Sequence, residues 1–280
     1  MPEPQLSNEH TLGLHKFVMT AIIFGPVRPD QNLHRQTQRA IKSHTAGRDF
    51  FTDITLHESY QPGSMRIEYS VTAISPSSAE RAGAVYLSQL CDLLSATIRS
   101  PVRFFLPDED AREERTKTNR KATSLDRVLT EKEWHWIIGS LVFLRREHPR
   151  YLAGASWYRK GLIGSDVLDN FCCFWRVIER IAFSYADKSK LDDKDKGKAK
   201  PCVLQLVTEL FPDGAVPECL STDKRIGEII QLRNDLSHGN VPITGEVIDQ
   251  ASGHLKPLEQ AAYEVLERIK RIRVGGNPLE

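Results

Sequence analysis

The hydrophobic and polar positions of this chain follow two different periods. Residues 12–106 read as an α/β segment. Leu14 to Phe24 is rich in β-forming residues and stops at Gly25-Pro26, and Phe50 to Leu56 offers a second strand. From Met65 to Ile74, Ile67, Tyr69 and Val71 alternate with Glu68, Ser70 and Thr72, which is the period of a half-buried strand. Gln61-Pro62-Gly63-Ser64 reads as the turn before it. A helix is predicted from a cap at Ser77 or Ser78 to about Arg99, with Ala84, Leu87, Leu90, Cys91 and Leu94 at three- and four-residue steps. Pro101 ends it, and Val102 to Leu106 returns as a strand. The expectation is a small sheet with one helix on a face.

From Ser124 onward the pattern is helical throughout. The predicted helices cover about 130–146, 148–160, 164–187, 200–211, 222–238 and 246–273. The fold class is therefore α+β in two domains. A small α/β sheet domain spans 1–106, a charged linker or solvated helix spans 107–127, and an all-α bundle spans 128–280. Gly161 to Asp166 reads as an interhelical turn capped by Ser165. Asp187 to Lys200 reads as a mobile, solvated loop. Arg268, Lys270, Arg271 and Arg273 suit the last turns of a helix by their interaction with its dipole.

Composition narrows the function. With 280 residues, 40% of them hydrophobic, the chain can bury one large or two ordinary cores. A net charge of +1 excludes a basic field over the whole molecule, so nucleic-acid binding would need a local patch. No apolar run reaches the ~18 residues of a membrane span, and Met1 to Gln5 is polar rather than a signal segment. Five cysteines without C-x2-C spacing signal neither a disulfide framework nor a zinc site, so no metal is expected. Cys172 and Cys173 read as small core residues. The setting is expected to be reducing and cytoplasmic. No phosphate-binding glycine loop, dinucleotide fingerprint or serine-hydrolase elbow is present, so no cofactor is expected. Trp134-His135-Trp136 offers two aromatic rings that could stack bases, although helix core is the simpler reading.

The sharpest chemical signal is Arg233-Asn234-Asp235-Leu236-Ser237-His238-Gly239. On a helix of 100° per residue, Ile226, Ile229, Ile230, Leu232 and Leu236 form one apolar stripe. Arg233 and Ser237 lie inside that stripe, and Asn234 and His238 flank it. A guanidinium keeps its charge at ordinary pH, so on a packing face it must be paired or sit in a wet cleft. Glu179, beside the apolar stripe of the 164–187 helix, is the expected partner. The bare spacing is weak, since Arg39 and His44 repeat it. A structural arginine–glutamate pair with a capping histidine would write much the same sequence.

Segments 170–182 (NFCCFWRVIERIA) and 226–240 (IGEIIQLRNDLSHGN) together resemble the HEPN superfamily, in particular its Apea-like branch with an R-N-x-x-x-H-G signature. The resemblance covers about residues 130–273. An α/β half before a HEPN-like half is also similar to the arrangement in the methylamine-utilisation MauJ-like proteins. The resemblance implies a metal-independent endoribonuclease with Arg233, Asn234 and His238 as catalytic residues; the helix pattern adds Glu179, Asp235 and Ser237 in support. Histidine can act as base or acid near neutral pH, arginine can hold phosphate oxygens, and Asn234 can position the phosphate or the histidine. One motif supplies one histidine, whereas cleavage asks for a base and an acid on opposite sides of phosphorus. A homodimer through the helical domain would supply the second. The family also implies a defence or toxin-like role for an active member, with the N-terminal domain sensing a ligand or recruiting a protein. Many of its members are instead non-catalytic interaction modules, and a MauJ-like accessory protein is the alternative reading. The residues flanking the motif (Asp223, Glu228, Asp235, Glu246) are acidic, which is poor for holding RNA. If Asp235 lies close to His238, it would raise the imidazole pKa.

Overall fold

The computed structural model describes residues 15–30, 37–38, 44–45, 49–58, 64–106 and 127–275. The chain divides into two compact units, Met1–Phe143 and Leu144–Glu280. The charged segment 107–126 and the turn residues 61–63 lie outside the described residues.

The first unit is built on an antiparallel sheet. Strands β1 (His15–Phe24), β5 (Asp49–Glu58) and β6 (Ser64–Ala73) run ten residues each. Among the described residues the sheet order is β3-β5-β6-β1-β7, with β3 at Thr37–Gln38, β7 at Arg103–Phe105, and β4 (His44–Thr45) pairing β5. The β1–β6 register runs from His15 opposite Ala73 to Phe24 opposite Ser64. Ile67, Tyr69 and Val71 are buried, as the alternation predicts, but Ser70 and Thr72 on the opposite face are buried too. This strand is covered on both sides over part of its length.

Helix α1 (Pro76–Ile98) packs on β6. A Cβ at Gly83 would stand 2.8 Å from the Tyr69 hydroxyl, so the glycine sets how closely helix and sheet approach. The helix is capped by Ser75, not by Ser77 or Ser78: Ser75 Oγ accepts from the Ser78 N–H at 3.2 Å, and Pro76 takes the first helical position. Proline has no N–H to leave unsatisfied there. Arg99 closes the helix in the left-handed region, φ 53°.

The expectation of continuous helix from Ser124 needs correction. Arg127–Leu129 forms β8, which pairs in parallel with β2 (Val27–Pro29). Two three-residue strands about a hundred residues apart carry no period that a sequence window can detect. Helix α2 (Glu131–Glu147) follows through a reciprocal cap. Thr130 Oγ1 accepts from the Glu133 N–H at 3.2 Å, and Glu133 Oε2 accepts from the Thr130 N–H at 3.1 Å. Trp134 and Trp136 are both buried, which leaves no free ring to stack a base.

The second unit is helical: α3 (Pro149–Ile163), α4 (Val167–Tyr185), α5 (Ala199–Leu210), α6 (Asp223–His238) and α7 (Gly245–Ile269). A π-helical turn, Lys270–Gly275, continues α7. Helices α3 and α4 form a hairpin. Its cap is Asp166, not Ser165; the carboxylate accepts from the N–H groups of Leu168 at 2.8 Å and Asp169 at 2.9 Å. Helix α4 is central and packs against α3, α5, α6 and α7. Phe171, Trp175, Ile178, Ile181 and Ala182 are wholly buried along it.

Lysines of the 187–200 segment pair with nearby acids, Lys196 with Asp193 at 2.6 Å and Lys198 with Asp195 at 2.9 Å. The basic residues at the end of α7 also have protein partners. Arg268 bonds Asp213 and the Leu210 carbonyl, and Arg273 reaches Glu209. These contacts tie the end of α7 to the end of α5, which accounts for the charges more directly than a helix dipole does. No described helix is long and apolar enough to cross a membrane.

Candidate functional site at the end of helix six

Helix α6 begins at Thr222, whose hydroxyl accepts from the Arg225 N–H at 3.3 Å. It ends at Gly239 in the left-handed conformation, φ 65° and ψ 28°. The N–H groups of Gly239 and Asn240 both bond the Asp235 carbonyl. That closure needs a residue that tolerates positive φ, which is the role of the glycine after His238. His238 is therefore the last helical residue and not the cap.

Ile226, Ile229 and Leu232 bury the inner stripe of the helix. Arg233 lies in that stripe and donates through Nη2 to Glu179 Oε1 of α4. Each side chain is 19% exposed. The pairing expected from the two helix patterns is present. Arg233 Nε is buried with no hydrogen-bond partner among the described residues, so the guanidinium is not fully satisfied by Glu179.

One turn further on, Ser237 stands beside the Cys172 thiol of α4. Cys172 and Cys173 are half-buried and not the small core residues expected from the sequence. Burial pushes both thiols up. At Cys172 the guanidinium of Arg176, the Ser237 hydroxyl and Arg233 pull the other way, and at Cys173 Arg176 and Lys160 do so. All five cysteines are free.

Asn234 is half-buried. His238 is exposed, and its ring has no hydrogen-bond partner among the described residues. The Asp235 carboxylate is engaged elsewhere. It accepts from Gln231 Nε2 at 2.9 and 3.0 Å and from Asn240 Nδ2 at 3.5 Å, so it braces the end of the helix rather than the imidazole. Four of the residues singled out in the sequence thus divide three ways. Arg233 and Glu179 form an anchored ion pair, His238 is a free imidazole at the helix end, and Asp235 is a structural brace. Among the described residues no group of His, Cys, Asp and Glu is arranged to hold a metal ion.

Trp157, Lys160 and Arg176, near this site, carried no motif in the sequence. On α4, Cys172, Arg176 and Glu179 share one face at four- and three-residue steps. Arg176 lies on the Trp157 ring of α3, with Cζ 4.5 Å from its centroid, and Lys160 Nζ lies 4.3 Å from the same centroid. Basic charge from α3 and α4 therefore stands beside Cys172 and Cys173, whereas the motif's own flanks are acidic. A W-x-x-K or R-x-x-E spacing is too common to have pointed here.

No protein-family model, no curated protein and no solved structure matches this chain.

Proposed function

We propose that the second unit is a HEPN-like ribonuclease module that cleaves RNA without a metal, using Arg233, Asn234 and His238. The observation that carries this reading is the exposed imidazole of His238, without a hydrogen-bond partner among the described residues, within two turns of a guanidinium held by Glu179. A histidine kept only as a cap would spend its ring on the helix end, and here Gly239 and Asp235 close that end instead.

In the proposed reaction the ribose 2′-oxygen attacks phosphorus and the bond from phosphorus to the 5′-oxygen breaks. One histidine removes the 2′-proton, and a second protonates the departing 5′-oxygen. Arg233 balances the charge that builds on the phosphoryl oxygens. The products are a 2′,3′-cyclic phosphate and a 5′-hydroxyl. The second histidine comes from a second copy of the chain, so the active form is a homodimer. Exposed Ile243 and Ile248, on the connection and first turn that follow His238, are apolar surface that a two-fold partner would cover. The first unit would sense a ligand or recruit a protein, and a defence or toxin-like role follows from the family resemblance alone.

A second reading has a specific observation in its favour. Arg233 and Glu179 are each about four-fifths buried, which suits a non-catalytic HEPN-like interaction module whose arginine only holds two helices together. Cleavage of labelled RNA in EDTA separates the two, using wild type, His238→Ala and Arg233→Lys after each is shown to be a folded dimer. Cyclic-phosphate ends from the wild type alone support the nuclease. Intact RNA in every arm favours the interaction module.

A further inference from the structure

We propose that Lys160 and Arg176, held on the indole of Trp157, form a phosphodiester-backbone site that feeds the motif on α6. The assignment deepens the RNA reading above and rests on it for the substrate, but its geometry stands independently.

Two cations share one aromatic ring, at 4.3 and 4.5 Å from its centroid. Neither the Lys160 nor the Arg176 side chain has a hydrogen-bond or ion-pair partner among the described residues. This sets them apart from the lysines of 187–200 and the arginines closing α7, which pair with acids. The nearby acid is Asp169, exposed on the first turn of α4 and within electrostatic reach of Cys172 and Cys173. Set against that one acid, the two cations leave a net positive charge.

A cation resting on a ring is oriented by the ring's negative face without using its donors. A guanidinium so held still presents its edge N–H groups, a fork that matches phosphate oxygens. Lys160 adds a compact charge from the neighbouring helix. Arg176 also stands between Cys172 and Glu179 on the α4 face that meets Ser237 and Arg233. A strand held at Arg176 and Lys160 is therefore delivered next to Arg233. The placement supplies the positive charge that the acidic flanks of the motif lack.

The test uses the whole 280-residue chain and a labelled single-stranded oligodeoxyribonucleotide of about 15 nucleotides, at the upper end of what single-strand-binding grooves cover. DNA carries the same phosphodiester charge and lacks the 2′-hydroxyl, so it cannot be cut. Binding is followed by fluorescence anisotropy over a range of salt. Each lost phosphate contact on a single strand reduces the salt slope by about 0.7. Lys160→Gln/Arg176→Gln should therefore lower the slope by about 1.4 and weaken binding about 25-fold at 0.1 M salt. Lys160→Arg/Arg176→Lys should keep the wild-type slope. Lys160→Gln alone changes an exposed side chain, is safe for folding, and should lower the slope by about 0.7. An unchanged slope in the double glutamine variant overturns the site, as does a wild type that does not bind the probe. RNA cleavage by the same proteins keeps the two ideas apart. Cleavage with an unchanged slope removes this site and leaves the nuclease. A reduced slope without cleavage keeps this site and removes the nuclease.

Discussion

The ion pair between Arg233 and Glu179 makes a quantitative prediction. Replacing Glu179 with glutamine keeps the shape of the side chain and removes its charge, leaving a guanidinium that is 19% exposed opposite a neutral amide. Breaking a fully buried pair costs about 3–5 kcal/mol, whereas an exposed pair contributes about 0–1 kcal/mol. At four-fifths burial we expect Glu179→Gln to cost about 2–3 kcal/mol. That corresponds to a fall in Tm of roughly 6–9 °C for a unit of this size. Removing both charges, as in Glu179→Leu/Arg233→Met, should bring stability back to within about 1 kcal/mol of wild type, because no unpaired charge then remains in the interface. Urea unfolding of the wild type, Glu179→Leu, Arg233→Met and the double closes the cycle, with Glu179→Gln measured beside it and m-values checked so that one transition is compared. A cost below about 0.5 kcal/mol for Glu179→Gln would place the pair in the surface class. Additive losses in the double variant would show that the two side chains act separately. Either result would refute the buried-pair argument.

Three further outcomes follow from the same structure. A Cβ at Gly161 would lie 2.6 Å from the Phe174 ring, so Gly161→Ala should destabilise by about 1–3 kcal/mol through overpacking of the α3–α4 hairpin. Phe174→Leu in the same chain should recover part of the loss. His238→Ala removes an exposed side chain without a partner among the described residues; its Tm should match wild type, with stability changed by less than about 0.5 kcal/mol, while cleavage of RNA is lost. The buried Cys219 thiol is pushed up to about 12 from an ordinary 9.0. Between those values the unfolded chain has released a proton that the folded chain keeps, so stability is full below pH 9 and falls as pH rises. Thermal melts of wild type and Cys219→Ala should therefore diverge in slope above pH 9, with the variant flatter until tyrosines begin to titrate. Parallel slopes between pH 9 and 10 would show that this thiol is not protected.

Much of the architecture was legible because it rests on long periodic segments. The ten-residue strands at His15–Phe24 and Ser64–Ala73 and the helices α2 to α7 each bury a continuous face, and a face repeated over three or more turns leaves a clear pattern. Local punctuation was harder. Ser75 and Asp166 cap their helices although Ser77, Ser78 and Ser165 stand close by. Cap choice depends on which residue is held extended, and composition does not report that. The β2–β8 pair escaped notice because three residues define no period.

At the site, the sequence alone pointed to Arg233 and His238 and to a carboxylate at Glu179, since a charge inside an apolar stripe demands a partner on whichever helix packs there. It could not say how far the pair is buried, that Gln231 and Asn240 occupy Asp235, or that His238 is exposed. Those outcomes depend on the angle and depth at which α4 and α6 meet. The cationic pair on Trp157 is further from view. Lys160 and Arg176 sit on different helices, and they converge because glycines at 154 and 161 let α3 close against Ile181 and Phe174 of α4. Periodicity along one strand of chain sets which face each helix buries. Which charges then stand together is settled between helices, by how closely their backbones can approach.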